Sequence, residues 1–203
     1  MCKLGAIILA AGLSKRMGKP KLFLPYLNKP LIHYPISVAV EQKFSPLIVV
    51  GGKFTPQLQS ELKEHLEQLS IISNPAYETG MSSSLKMGIR ALNEEVDGVF
   101  IFLGDQPFVA AEVVERLSKV YKENRARGVK IVRPRYAHHP GHPILFDKSL
   151  FPQFEFLTGD EGGKRIIKAN ENCLIYVDIE NSQLNLDIDT PQDYEALINQ
   201  DTN

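Results

Sequence analysis

Cysteine is scarce here, with only Cys2 and Cys173 in 203 residues and neither in a C-x-x-C or zinc-type spacing. That excludes a disulfide framework and a thiolate metal centre. It fits reduced thiols in a cytoplasmic protein, with Cys173 packed at a strand start. No apolar run approaches the roughly 20 residues that cross a bilayer, so no membrane partner is expected. Only Lys3 precedes the first apolar segment, and charge returns at Lys15 without an export cleavage pattern. The segment therefore reads as a first strand and not as a leader. A formal net charge of −1 gives no broad field for nucleic acid or anionic lipid. Repeats, low-complexity stretches and long linkers are all missing, so one domain over 1–203 is the economical expectation. A chain of this length, 43% hydrophobic, can bury a core without staples.

What is present starts at the N-terminus. Leu4 to Ala11 is apolar without alternation, as in a parallel strand buried on both faces. Small residues Ala10, Ala11 and Gly12 follow, and Gly12 can take a positive φ and let a ligand approach the backbone. Four cations come next, Lys15, Arg16, Lys19 and Lys21. Turn amides beside clustered Lys and Arg suit a polyphosphate, although a solvated basic loop after a strand is a common structural alternative. The familiar phosphate motifs do not apply. Five residues separate Gly12 from Gly18, Pro20 follows Lys19, and G-x-G-x-x-G is absent.

Along the chain, Leu31 to Gln42 is expected to be a helix with Pro35 in its first turn, and Pro46 to Val50 a second buried strand. Thr55-Pro56 predicts an N-cap and an N1 proline, with Leu58, Leu62, Leu66 and Leu69 on one helical face. Ser70 to Ser73 is a short strand closed by Asn74-Pro75. Helices follow from Gly80 to Leu92 and from Ala110 to Arg127, around the strong strand Gly98 to Leu103. Ile131 to Pro134 and Leu174 to Val177 give shorter strands, and Phe151 to Phe156 an aromatic cover near a sheet edge. Strands alternating with helices predict a three-layer α/β/α fold with a mostly parallel sheet.

Several residues along this frame can carry chemistry. Ser82, Ser83 and Ser84 stand at a helix N-terminus, where they either cap the helix or contact a base, ribose or phosphate. Asp105 ends the central strand, where open α/β sheets bind ligands, and a carboxylate beside a triphosphate loop suits Mg²⁺. It can equally be a turn former. His138, His139 and His142 lack acidic or Cys partners at ligand-like spacing, which argues against zinc; His138 and His139 read as a mobile loop. Gly159 to Arg165 opens a helix whose cations either meet an acceptor phosphate or simply start a charged helix. Asp187 and Asp189 alternate on one face before the Thr190-Pro191 helix start, so either can join Asp105 on a metal.

Leu9-Ala-Ala-Gly-Leu-Ser-Lys-Arg-Met-Gly18 with Lys21 resembles the signature loop of molybdenum-cofactor-type nucleotidyltransferases. Asn74-Pro75 with Gly80 to Leu85, Gly104-Asp-Gln-Pro107, Gly141-His-Pro143, Gly159-Asp-x-Gly162 and Leu186 to Tyr194 resemble later motifs of that family, in order, over residues 5 to 195. The guanylyl branch reads Leu-Ala-Gly-Gly and the cytidylyl branch Ala-Ala-Gly, so Ala11 places the resemblance with the latter. The resemblance implies a Rossmann-like nucleotidyltransferase fold. It also implies CMP transfer from CTP to the terminal phosphate of a (molybdenum-)molybdopterin, a phosphorylated pterin, for delivery to a molybdoenzyme. Nucleotide contacts are implied for Leu9, Ala10, Ala11, Gly12, Ser14, Arg16, Lys21, Asn74, Ser82, Ser83 and Gly104. Acceptor contacts are implied for Gln106, Pro107, Gly141, His142, Gly159 and Asp160. Arg16, Lys21 and Asp105 would carry catalysis, with Mg²⁺ or Mn²⁺ on Asp105 and Asp189, and Asp187 beside them. The alternatives are a GTP-dependent guanylyltransferase, a transferase for a sugar or alditol phosphate, and a nucleotide-binding chaperone for a molybdoenzyme.

Overall fold

The structure, a computed structural model, describes residues 2–93 and 95–200. Leu4–Ala10 forms β1, almost wholly buried. Its alternate side chains point into two cores. Ile8 joins a layer with Ile36, Val49, Phe100 and Val114, whereas Ile7 joins one with Val50, Leu85, Ile101 and Ile166. Burying either isoleucine contributes about 1.5–3 kcal/mol, which is why this strand tolerates no alternation.

The remaining elements follow in chain order. A two-stranded ribbon, β2 (Pro25–Tyr26) and β3 (Lys29–Pro30), leads to α1 (His33–Glu41), β4 (Leu47–Gly51), α2 (Thr55–Glu61), β5 (Ser70–Ser73), α3 (Met81–Arg90) and β6 (Gly98–Leu103). Then come α4 (Ala111–Asn124), β7 (Ile131–Tyr136), β8 (His139–Pro140), β9 (Ile144–Asp147), α5 (Phe151–Phe154), α6 (Lys164–Ala169), β10 (Leu174–Ile179) and α7 (Pro191–Gln200). The main sheet runs β10-β7-β9-β6-β1-β4-β5, with β8 paired to β7. It is parallel except where β9 runs against β6 and β7, and β8 against β7. The expected α/β/α layering is present. Among the described residues no helix is long and apolar enough to cross a membrane.

The order of strands decides where the site lies. After β1 the chain winds outward to β4 and β5, then returns through α3 to place β6 on the other side of β1. The carboxyl ends of β1 and β6 thus flank the switch point, where open sheets leave a crevice.

Some local expectations are corrected. Phe54 precedes the first turn of α2, and the Thr55 hydroxyl donates to the Gly52 carbonyl instead of capping the helix. This helix stops at Glu61 and a 3-10 turn follows, which swings Leu66 to 47% exposure while Leu69 stays buried. Phe154 fills the core, but Phe156 is 71% exposed and covers nothing. His139 is not in a loop: it pairs with Tyr136 across the β7–β8 turn. At the other helix ends, Gly128 does stop the α4 region, at φ +94°.

Candidate active site

The loop after β1 is shaped by one apolar anchor. Met17 is buried with Leu24, Tyr26, Leu31, Ile188 and Leu197. Because Met17 and Ile188 share this cluster, the residues flanking them are brought together: Arg16 on one side, Asp187 and Asp189 on the other. The loop folds as a turn in which Met17 and Gly18 amides donate to the Ser14 carbonyl, and the Ser14 hydroxyl accepts from the Lys21 amide at 3.2 Å. Positive φ falls on Ser14 (+51°) and Gly18 (+71°), not on Gly12, so the expectation for Gly12 is corrected. What Gly12 supplies is open space, since a Cβ there would meet no atom within 4 Å. Among the described residues the amides of Gly12, Leu13, Lys15 and Arg16 donate to no protein acceptor. That leaves a row of donors facing a cleft of about 440 Å³.

Opposite the loop, Lys21 is the hub. Its ammonium lies 2.5 Å from Asp105 Oδ2 and 2.7 Å from Asp189 Oδ1. Arg16 reaches the second Asp189 oxygen at 2.7 Å. Burial works against the Lys21 ammonium, but the charge of Asp105 and then the contacts with Asp189 outweigh it and raise its pKa above the usual lysine value. Burial likewise works against the Asp189 carboxylate, yet Lys21 and Arg16 hold it below the usual range. Asp187 goes the other way. The residue keeps an exposed flank, but protein around its carboxyl, then the Asp105 and Asp189 charges, push its pKa up, although Gln106 Nε2 donates to it at 2.8 Å. Only 10% of the Lys21 side chain is exposed against 70% of Arg16, so Lys21 is enclosed in the site whereas Arg16 lies at its surface.

The position of Asp189 is itself built by sequence. Thr190 Oγ1 accepts from the Asp193 amide at 3.2 Å, and Asp193 Oδ2 accepts from the Thr190 and Asp189 amides at 2.7 and 3.1 Å. This is a capping box ahead of Pro191, the N1 proline that the Thr-Pro pair predicts.

Other candidate residues are distributed as follows. Leu9, Ala10, Ala11, Gly12, Ser14, Arg16, Lys21, Asp105 and Asp160 line the cleft. Asn74, Ser82 and Ser83 stand behind its wall. Asn74 is buried and its Nδ2 donates to the Ser83 and Ser84 hydroxyls, while the Ser82 hydroxyl donates to the Thr158 carbonyl. No serine hydroxyl caps α3, and it is Ser84 that reaches the cleft. Gly104 lets β6 close on β1, because a Cβ there would lie 2.9 Å from the Leu9 carbonyl oxygen. Gln106 and Pro107 are buried just beyond Asp105. The Asp160 carboxylate accepts from the Met81 amide, and the Gly159 carbonyl from the Ser82 amide, which ties this segment to the start of α3 beside the cleft. Gly141 has no room for a side chain, with Asn185 Oδ1 2.1 Å from where a Cβ would sit. His142 follows it, partly buried, and neither residue lines the cleft. Tyr77, Glu78 and Met81 also line the cleft, though nothing in their sequence marks them. The tight Gly52, whose Cβ would press on Ala11 and Tyr77, is the one signal that could have.

Asp105 and Asp189 converge on one point with hard oxygen donors, the donor type a small divalent cation takes. Among the described residues no group of three or more His, Cys, Asp or Glu forms a closed metal cage. A pair of carboxylates fits an ion completed by water and phosphate oxygens.

A strand-loop junction with free amides, two cations and a carboxylate pair is the outline of a nucleotide-handling site, and the chain is similar to known proteins over nearly its whole length. Molybdenum cofactor cytidylyltransferase of Escherichia coli (strain K12) is 29% identical over 96% of this chain and 95% of its own length. The purine catabolism protein PucB of Bacillus subtilis (strain 168) is 28% identical over 94% of each. The crystal structure of Rv0371c from Mycobacterium tuberculosis H37Rv superposes with a TM-score of 0.83 at 26% identity, covering 98% of each chain. A second structure of that protein, in complex with manganese, gives 0.76 at 25% identity over 97% of this chain and 98% of its own. The model of the MobA-like NTP transferase domain matches residues 6–173, and with the fold and the cleft in agreement this chain belongs to that family and is a nucleotidyltransferase.

Proposed function

We propose that the protein transfers CMP from CTP to the terminal phosphate of a phosphorylated pterin, molybdopterin with its molybdenum, and releases pyrophosphate. The observation that carries this reading is the Lys21 ammonium held between Asp105 and Asp189 under a loop of unpaired amides. CTP is favoured by Ala11 and by the likeness to a cytidylyltransferase.

The amides of Gly12 to Arg16 would bind the triphosphate, Arg16 would close over it, and Lys21 would neutralise charge near the α-phosphate. Asp105 and Asp189 would hold Mg²⁺ or Mn²⁺; the manganese complex of Rv0371c supports a divalent ion here. A bound ion would supply charge neutralisation on the phosphates and on the leaving group. The nucleophile is an ionised phosphate, so no general base is needed, in keeping with a site that offers positioning and charge. Gln106 Oε1, buried without a hydrogen-bond donor among the described residues, is available to the acceptor.

Pyrophosphate release from each of the four nucleoside triphosphates, with Mg²⁺ and with or without molybdenum-bearing molybdopterin, tests this. Release with CTP and acceptor together is expected. Release with GTP instead would mean that Ala11 does not set the base. Release with neither, despite nucleotide binding, would reject the pterin acceptor.

A further inference from the structure

A cavity of about 740 Å³ opens beside the amino-terminal end of β1, larger than the cleft and sharing no residue with it. Leu4, the first residue of β1, lies in it, and the strand runs roughly 20 Å from there to the cleft. The floor is apolar and rigid. Leu4 and Phe44 are buried there, and the Phe44 ring packs on Phe100 and Phe102 with centroids 5.1 and 6.2 Å away.

One wall is a stripe of α4. Glu115, Ser118, Lys119 and Lys122 recur at helical spacing, on the flank of the buried residues Val114, Leu117 and Tyr121. Ser118 is the small residue that leaves this space open. It is only 9% exposed, and its hydroxyl makes no hydrogen bond among the described residues, so a polar group on the wall is left unused.

Lys43 lines the cavity from the end of α1. Its amide donates to the Val40 carbonyl at 2.9 Å and the Phe44 amide to the Ala39 carbonyl at 3.5 Å. This is a Schellman turn with Lys43 at the left-handed position, φ +54°. Glycine is the residue for that position. A side chain there costs more than a cation gains at a helix carboxyl end, so the cap alone does not account for a lysine. Backbone strain of this kind gathers at binding sites. The charges show the same bias. Lys3 pairs with Glu95 at 2.5 Å and Lys119 with Glu123 at 4.0 Å, and Glu115 accepts from the Gln42 amide at 3.2 Å. Lys43 and Lys122 line the same cavity without a carboxylate partner among the described residues.

We propose that this cavity binds a small organic anion, its charged group against Lys43, Lys122 and the Ser118 hydroxyl and its apolar body on Leu4 and Phe44. The volume is that of a small-molecule site. Two unpaired ammonium groups favour a phosphate or a carboxylate. The buried floor favours one carried on an aromatic or hydrocarbon body over an inorganic ion. This second site is separate from the cleft and does not depend on which nucleotide the cleft takes.

Cys2 lines the cavity and Cys173 does not, so the two thiols report on the site. Alkylation by iodoacetamide, a neutral reagent, is followed at each cysteine by mass spectrometry while phenyl phosphate or benzoate is titrated. One of the two should protect Cys2 and leave Cys173 unchanged, and the better protector tells a phosphate site from a carboxylate site. Lys43→Gly and Lys122→Gln should each raise the concentration for half protection by at least about tenfold, the size of one charged hydrogen bond. Inorganic phosphate should protect at least about tenfold less well, since it leaves the floor uncovered. Lys43→Gly relieves the left-handed strain and Lys122 is exposed, so both variants are expected to fold, which circular dichroism checks. No protection by either anion, equal protection by inorganic phosphate, or a half-protection concentration unchanged in either variant would overturn the proposal. If Cys2 reacts too slowly to follow, calorimetric titration of phenyl phosphate and of benzoate into wild type and Lys122→Gln decides by the same tenfold criterion.

Discussion

Lys21 Nζ sits 2.5 Å from Asp105 Oδ2, and the same ammonium meets Asp189 Oδ1 at 2.7 Å. One cation thus stands where two carboxylates converge, the position a divalent ion would need. On the proposed reading, Lys21 and a metal would compete for the same oxygens without nucleotide, and a bound triphosphate would offer Lys21 another partner. Removing the ammonium should therefore tighten metal binding to the nucleotide-free protein. Lys21→Met is expected to bind Mn²⁺ at least about tenfold more tightly by electron paramagnetic resonance, while turnover falls about 10²–10³-fold. Equal Mn²⁺ affinity in both proteins would show that Lys21 does not hold the metal position.

Asp193 accepts from the amides of Asp189 and Thr190, and among the described residues it forms no hydrogen bond to a residue lining the cleft. Asp193→Ala should cost about 0.5–2 kcal/mol by loss of the cap. Because Asp189 is then less firmly placed, kcat should drop more than the KM for CTP rises. Steady-state kinetics of the variant beside its denaturation curve separates the two effects.

Gly80, just before α3, has φ +110° and ψ 170°, a region open to glycine alone, and a Cβ there would lie 2.4 Å from the Gly159 backbone. Gly80→Ala should destabilise by more than the about 1–3 kcal/mol of backbone strain. It should also raise the KM for nucleotide, as Gly80 and Asp160 share the cleft wall. Thermal unfolding and initial rates check both.

The acid limb of stability should be carried in part far from the site. Tyr121 is fully buried, and its single phenol proton faces Asp147 Oδ2 at 2.6 Å and the Asp97 carbonyl at 2.8 Å. Burial alone would raise the Asp147 carboxyl, but the Tyr121 and Ser149 hydrogen bonds outweigh it and hold it below 3.8. A carboxyl depressed by folding adds stability that is present above pH 3.8 and lost as the pH falls through its folded value. Tyr121→Phe should cost about 1–3 kcal/mol near neutrality. The difference from wild type should shrink as the pH drops below about 4. A constant difference across pH in urea titrations would contradict this.

Much of this was legible in the sequence because it depends on near neighbours. The unalternating run of β1, the Thr190-Pro191 helix start and the terminal carboxylate of β6 each follow from local chemistry. What stayed hidden needs the third dimension. Met17 and Ile188 are 171 positions apart, and only packing in one small apolar cluster brings Arg16 to Asp189. The serines of α3 looked like caps, but a buried Asn74 and the Thr158 carbonyl claim them first. The early end of α2, which exposes Leu66, has no sequence marker at all.

The most direct test of the central claim is Asp105→Asn. It keeps the shape of the side chain and removes the charge shared with Lys21. Pyrophosphate release from CTP with the pterin acceptor should fall by at least about 10³-fold, with circular dichroism and thermal midpoint near those of wild type. Undiminished release by a folded Asp105→Asn protein would mean that the chemistry takes place somewhere else.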